Sequence, residues 1–310
     1  MNRRRFLTSV ALASGGTLLA RRSGAQVAGL REIRRGVGVF VGPGGAIGWL
    51  SARGDAVGDA AVVDSQFPAT ARGVLDELTR RSPIERLVLI NTHHHADHTA
   101  GNGVFRPVAR QIVQHERCAE AHRRMVAAAN PTSIPPTDTA TADTTFTTRW
   151  STDIGDERVT ALFHGAAHTG GDAIVIFERA NVIHLGDLVF NGVPPFVDRA
   201  SGASMRNWIR VLETILRDHA DASFIFGHGA RDVVTGTPAD VARFRDYLSA
   251  VLDQVQRGIA AGRSQTEIAA ITAIPGFAEY GDVVKNYPSA FPQFSLAHVL
   301  TAAYQELTGR

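Results

Sequence analysis

The chain of 310 residues is poor in several features that usually announce a function. It has one cysteine, Cys118, so no intrachain disulfide can form. The flanks His115-Glu116-Arg117 and Ala119-Glu120-Ala121 read as helix, which makes Cys118 a buried structural thiol. It has one lysine, Lys285, best read as a solvated side chain. It has no Gly-x-Ser-x-Gly and no His-Glu-x-x-His, which excludes the serine elbow and the zinc-binding helix those motifs encode. Its Gly-rich stretch, Gly42-Pro43-Gly44-Gly45, lacks the dinucleotide and P-loop spacings, so it is no phosphate cradle. The apolar run over residues 6–20 is too short for a permanent membrane span.

That run follows a charged start, Met1-Asn2-Arg3-Arg4-Arg5-Phe6-Leu7, and leads to Ser23-Gly24-Ala25. Charged, apolar and small-x-Ala segments in this order form a secretory leader. Paired arginines before x-Phe-Leu match the twin-arginine signal, whose cargo crosses already folded. The expectation is a leader over residues 1–25, a catalytic domain over 26–310, passage through the twin-arginine export machinery and a periplasmic product with no stable membrane anchor after cleavage. Folding before export suits an exported chain without disulfides. Losing residues 1–25 removes five arginines and no acids, which turns the formal charge from +2 to −3. No electrostatic case for nucleic acid remains.

What the chain has in plenty is histidine in one place. Asn91-Thr92-His93-His94-His95-Ala96-Asp97-His98-Thr99-Ala100-Gly101-Asn102 follows the apolar run 87–90. In an extended segment, side chains at i, i+2 and i+4 point the same way, so His93, His95 and Asp97 converge. His98 joins them where the chain turns. Imidazole and carboxylate at this spacing suit zinc or another first-row divalent ion.

Elsewhere the pattern alternates strands and helices. Residues 37–41 and 46–50 form a hairpin about the Gly-rich turn, and 61–64 and 87–90 are strands, the latter buried on both faces. Helical spacing covers 70–81, with Val74, Leu75 and Leu78 on one face. A short strand at 111–114 precedes a helix over 115–129, and the Thr- and Pro-rich tract 130–148 reads as a long surface loop. In the second half, 159–163, 173–177, 181–185 and 223–226 read as strands, and 204–218, 239–261, 265–270 and 294–307 as helices. Two strand-then-helix halves predict helices packed outside two sheets.

Three strand ends in the second half carry a histidine or aspartate close to glycine: His168, Asp187 and His228. Together with the first cluster they give His-x-His-x-Asp-His, a lone His, a Gly-Asp and a Gly-His, each at a strand end. In this order the residues resemble the metallo-β-lactamase-fold hydrolases, over nearly the whole of the chain after residue 25. The resemblance implies an α+β fold, a four-layer αβ/βα sandwich with its site at one edge between the sheets. Carried over by residue, it implies one metal on His93, His95 and His168, and a second on Asp97, His98 and His228. Asp187 would bridge the two, as in the glyoxalase II and lactonase branches. The Cys-bearing β-lactamase branch has a cysteine where this chain has Asp187, and Cys118 lies too early to replace it.

The resemblance further implies two divalent ions, zinc before iron or manganese. The expected activity is hydrolysis of a small-molecule ester, lactone, amide or β-lactam by a metal-bridging hydroxide, with Asp97 orienting it and passing on its proton. Substrate walls would come from residues 191–196, the Thr/Pro tract and Lys285-Asn286-Tyr287. His94 points away from the metals. His164 is a marginal site residue, and His115, His122, His184, His219 and His298 read as structural or exposed. Two other functions fit the pattern: a mononuclear iron enzyme of the persulfide-dioxygenase type, and a non-hydrolytic accessory of quinoprotein systems.

Overall fold

The computed structural model describes residues 29–53, 58–128, 140–281 and 294–309. The expected leader, the 130–139 part of the Thr/Pro tract, Lys285, Asn286 and Tyr287 lie outside them.

The first half builds one sheet. Its strands are β1 (Arg31–Arg34), β2 (Val37–Phe40), β3 (Ile47–Ser51), β4 (Asp59–Val63), β5 (Arg86–Ile90), β6 (Ala109–His115) and β7 (Thr144–Phe146), side by side in that order. Strands β1 to β4 form an antiparallel meander, while β4 to β7 are parallel. Parallel neighbours need a crossover. Helix α1 (Pro68–Arg81), the single turns α2 (Ala96–Thr99) and α3 (Asn102–Phe105), and helix α4 (Glu116–Ala128) lie on these connections.

In chain order the second half contains β8 (Arg149–Ile154), β9 (Glu157–Phe163), β10 (Ala173–Phe177), β11 (Val182–His184), β12 (Phe190–Asn191), α5 (Met205–Asp218), β13 (Ser223–Ile225), β14 (His228–Gly229), β15 (Thr235–Gly236), α6 (Pro238–Ala260), α7 (Gln265–Ala269) and α8 (Leu296–Thr308). Its sheet runs β15-β13-β11-β10-β9-β8. The two-residue strands β12 and β14 pair in parallel as a separate ribbon.

Strand alternation sorts the apolar residues into layers. Ala61 and Val63 of β4, with Val88 and Ile90 of β5, meet Ala173, Val175 and Phe177 of β10 between the sheets. The alternate residues Ala60, Val62, Leu87 and Leu89 pack on Val74, Leu75 and Leu78 of α1. Ile174 and Ile176 face the other way, onto Trp208 and Leu212 of α5 and Val251 of α6. Helix, sheet, sheet and helix make the four-layer αβ/βα sandwich. The chain folds this way because both faces of its central strands are apolar and each demands cover.

Caps fix the helix that borders the later site. Ser204 caps α5 by accepting from Asn207 N, and the carboxylate of Glu306 on α8 accepts from Met205 N (2.7 Å) and Arg206 N (3.1 Å). The N–H of Ser204 donates to Ala167 O (2.9 Å), beside His168. Among the described residues, no helix is long and apolar enough to cross a membrane.

Two expectations change. The tract 130–148 is not loop throughout, because β7 pairs in parallel with β6 at 144–146. Its β-branched threonines suit an edge strand that shows no apolar alternation. Strands β1 and β8 were not foreseen for the same reason: Arg-Glu-Ile-Arg and Arg-Trp-Ser-Thr-Asp-Ile are mostly exposed or half-buried edges.

Candidate metal centre

Residues 91–95 continue β5 beyond the sheet, and α2 then turns the chain back. Asp64, just after the neighbouring strand β4, anchors this segment. Its Oδ1 accepts from Thr92 N (2.8 Å), its Oδ2 accepts from Thr92 Oγ1 (2.8 Å), and Oδ2 also meets His98 Nδ1 (2.8 Å). His168 lies between β9 and β10, Asp187 just beyond β11, and His228 opens β14 after β13. Strands of both sheets therefore end at one edge, where these side chains gather.

All seven residues singled out from the sequence come together there. His93, His95, His168 and Asp187 each turn one ligand atom into a space 4.8 Å across, and Asp97, His98 and His228 do the same. His95 Nδ1 is 3.0 Å from His93 Nε2 and 3.1 Å from His168 Nε2. Asp187 lies between the groups: Oδ2 is 3.5 Å from His168 Nε2 and 3.5 Å from His228 Nε2, and Oδ1 is 3.1 Å from His98 Nε2. Asp97 Oδ2 is 3.1 Å from His228 Nε2.

Such approach requires bare backbone opposite. A Cβ on Gly227 would fall on Asp187 Oδ1, and one on Gly45 would fall in the His98 ring. Gly45 closes the Gly-rich turn of the β2–β3 hairpin, so that turn serves the site as a wall that His98 can lie against.

The far side of four of the five imidazoles is tied. Thr92 Oγ1 meets His93 Nδ1 (3.1 Å), Asp198 Oδ2 meets His95 Nε2 (3.0 Å), Asp64 meets His98 Nδ1, and His168 Nδ1 donates to Phe196 O (2.8 Å). This fixes each ring's orientation and leaves its other nitrogen facing the cluster.

Electrostatics push the groups apart. Burial drives His93 well below the usual imidazole range and His168 down to about 3. Burial also opposes charge on His98, but the carboxylates of Asp187, Asp97 and Asp64 outweigh it and hold this imidazole well above its usual range. Burial likewise opposes charge on Asp97 and Asp187, yet the surrounding histidines, His98 and His228 foremost, hold both carboxyls low. Neutral imidazoles and ionised carboxylates are the forms that ligate metal, so a bound ion would take the place of the proton these carboxylates hold on His98. His98 Nε2 and Asp187 Oδ1 are buried with no hydrogen-bond partner among the described residues, although they lie 3.1 Å apart. A divalent cation would satisfy both. The residues fit one or two such ions.

The remaining histidines divide as follows. His94 is buried, with Nε2 3.3 Å from Ser201 Oγ and 3.6 Å from Asp198 Oδ2. With His95 and Asp198 it forms a third compact group beside the first two. His164 joins none of these groups; its charged neighbours are Asp218, His219 and Arg217. His184 bonds Ala46 O, His122 bonds Gln114, and His298 bonds Val197, so these are structural. His115 is buried and stacked on Phe163 at 3.8 Å. Cys118 is buried in α4, its thiol pushed up by burial, and belongs to no ligand group.

A cleft of about 250 Å³ opens beside the cluster, lined by Asp97, Asp187, Ala96, Phe67, Phe196 and Phe294. Of the expected walls, the 191–196 segment is present through Phe196. Phe67, Asp64 and Asp198 were not found from the sequence, because each is a lone residue of ordinary type that acquires its role only across the fold.

A profile of the metallo-beta-lactamase superfamily matches residues 55–228, more than half of the chain. The chain belongs to the metallo-β-lactamase superfamily. A metallo-beta-lactamase from Pontibacter korlensis superposes with a TM-score of 0.58 at 18% identity, covering 72% of this chain and 99% of that one. The stereoselective inverting sec-alkylsulfatase Pisa1 from Pseudomonas sp. superposes at 0.65 with 15% identity, over 91% of this chain and 50% of that one. In sequence, the chain is 29% identical over 122 residues to the 2,4-dinitroanisole O-demethylase subunit alpha of Nocardioides sp. (strain JS1661). That match spans 38% of this chain and 34% of the demethylase subunit, about a third of its length.

Proposed function

We propose that the chain is a periplasmic metal-dependent hydrolase that opens an ester, lactone, amide or β-lactam. The carrying observation is the gathering of His93, His95, His168, Asp97, His98 and His228 into two groups joined by Asp187. The first three would hold one divalent ion and the next three a second, with Asp187 shared. Ions bound there would polarise the scissile carbonyl and supply a water acidified to near neutrality, a role zinc suits best.

The chain's own groups do the rest. Asp97 lines the cleft and is held ionised, so it can accept a hydrogen bond from the attacking water, orient it and relay its proton toward the leaving group. Asp198, Asp64, Thr92 and the Phe196 carbonyl keep the imidazoles from turning. Phe67, Phe196 and Phe294 give the cleft apolar walls. No side-chain nucleophile is needed.

The test is metal analysis of protein purified without chelator, alongside turnover of an ester, lactone, thioester and β-lactam panel. About two zinc ions per chain with hydrolysis supports the reading. One iron with oxygen uptake would replace it by the dioxygenase-type alternative, and full metal loading without turnover would favour an accessory role. His168→Ala should abolish hydrolysis and lower metal content. The twin-arginine leader is supported by the sequence of residues 1–25. Arg3→Lys with Arg4→Lys should leave the protein in the cytoplasmic fraction.

A further inference from the structure

The cleft beside the ligand groups combines a polar floor with aromatic walls. Asp97 and Asp187 stand at the floor, and Phe67, Phe196 and Phe294 form the walls. The three rings come from separate places: Phe67 precedes α1, Phe196 follows β12, and Phe294 precedes α8. Phe294 is packed 5.5 Å from His228 and 5.8 Å from Phe190, and Phe196 stacks on His298 at 4.8 Å. Both are therefore braced from behind. Phe67 is half-buried and belongs to none of the three apolar cores. Its backbone N–H bonds Thr70 Oγ1, which leaves the ring no structural duty in the helix cap.

Size and apolar lining indicate what fits. The cleft holds about 250 Å³. A dry cavity of roughly 150 Å³ takes up a benzene molecule, so one ring with a short acyl group fills this space. The ionisable groups on the described lining are two carboxylates and one imidazole, His95, with no guanidinium among them. All three are proposed ligands, so bound ions would offset the carboxylates' charge and the lining selects for the ring, not for charge. Aromatic faces bind another ring best through offset or edge-to-face contacts.

We propose that the substrate is a small ester bearing a single aromatic ring. The ring would lie among Phe67, Phe196 and Phe294, with the ester carbonyl toward Asp97 and Asp187. This inference rests on the hydrolase reading. In the reaction, the oxygen of water bonds to the acyl carbon and the bond from that carbon to the alcohol oxygen breaks. The electron pair leaves on that oxygen, which takes a proton relayed from the water, giving a carboxylic acid and an aryl-bearing alcohol.

Benzyl acetate and ethyl acetate share an acyl group and have similar leaving groups, so the metal-loaded enzyme should prefer the first through its ring alone. A kcat/KM ratio of about tenfold or more is expected. Phe67→Ala should raise KM for benzyl acetate about five- to tenfold and draw the benzyl-to-ethyl ratio toward one. A binding readout stands apart from turnover: benzyl alcohol should raise the melting temperature of the wild-type protein more than that of Phe67→Ala or Phe196→Leu. Equal kcat/KM for the two esters, or a benzyl alcohol shift unaltered in both variants, would overturn the proposal. If no ester is turned over, the hydrolase reading falls, and the benzyl alcohol shift alone then decides whether the cleft is an aromatic site.

Discussion

Asp64 shows how a site can depend on a residue that never faces it. It is fully buried, and its backbone lies in the left-handed region at φ 64°, a conformation that costs a non-glycine residue about 1–2 kcal/mol. The conformation persists because it lets one carboxylate hold Thr92 twice and His98 once. Asp64→Ala leaves the Thr92 N–H buried without its acceptor, at about 1–3 kcal/mol, and frees the His98 ring. Metal affinity should fall about 10–100-fold, measured by competition with a chromogenic chelator, with a lower melting temperature as the companion readout. Asp172 supplies a pH test. Its Oδ2 accepts from Ala167 N and Thr169 N, its Oδ1 accepts from Thr169 Oγ1, and burial raises its carboxyl to about 6. Between the unfolded value near 4 and the folded value near 6, the native state binds the extra proton, so this group's contribution to stability falls as pH rises. Asn can satisfy the same partners without a charge. In a chelator, Asp172→Asn should match wild type near pH 4 and gain on it by about 2–3 kcal/mol at pH 7, read as the difference of two urea titrations at each pH. A wild-type-minus-variant difference flat in pH would refute this. The contrast with the histidine cluster is instructive. His93 and His95 are legible in sequence through two-residue alternation, whereas Asp97, expected on the same extended run, sits with His98 on the turn α2 and joins the other group. Asp64, Asp172 and Asp198 are not legible there, since each acts on a partner fixed only by tertiary contact.

Among the elements, the same physics separates what could be read from what could not. Strands β4, β5 and β10 are apolar on both faces and announce themselves. Strands β1, β7 and β8 each lie at the edge of a sheet, have a partner on one side only, and need no apolar run. Capping between distant elements is equally silent in sequence. Glu306 sits on the last helix and accepts from the first two N–H groups of α5, near Arg199 at 3.6 Å. A carboxylate at a helix N-terminus stabilises both by hydrogen bonding and by the helix dipole. Glu306→Ala should therefore lower stability by about 1–2 kcal/mol. Because Ser204, at the head of α5, also bonds Ala167 O beside His168, the same variant should loosen metal at the group containing His168 before that at Asp97, His98 and His228. Stepwise metal release monitored against chelator concentration would check this; simultaneous, unaltered release would count against the coupling.

At the scale of the molecule, each ligand group draws on both sheets. His93 and His95 come from the first half and His168 from the second; Asp97 and His98 come from the first and His228 from the second. Bound ions would thus tie the halves together as well as equip the cleft. Ligand bound at about 100 times its dissociation constant adds roughly 2.7 kcal/mol to stability, and a chain this long shifts by about 2–4 °C per kcal/mol. Chelation should accordingly lower the melting temperature by roughly 5–10 °C, followed by circular dichroism with and without added zinc. An unchanged transition would mean that no ion spans the sheets.

That division of the ligands has a consequence for how the protein could be assembled. The chain passes from one sheet to the other between β7 and β8, and neither piece on its own side of that crossing carries a complete set of three histidine or aspartate donors plus the shared Asp187. Each would be a half-socket, and the ion would be the part that makes recombination of the two pieces worth more than their apolar faces alone.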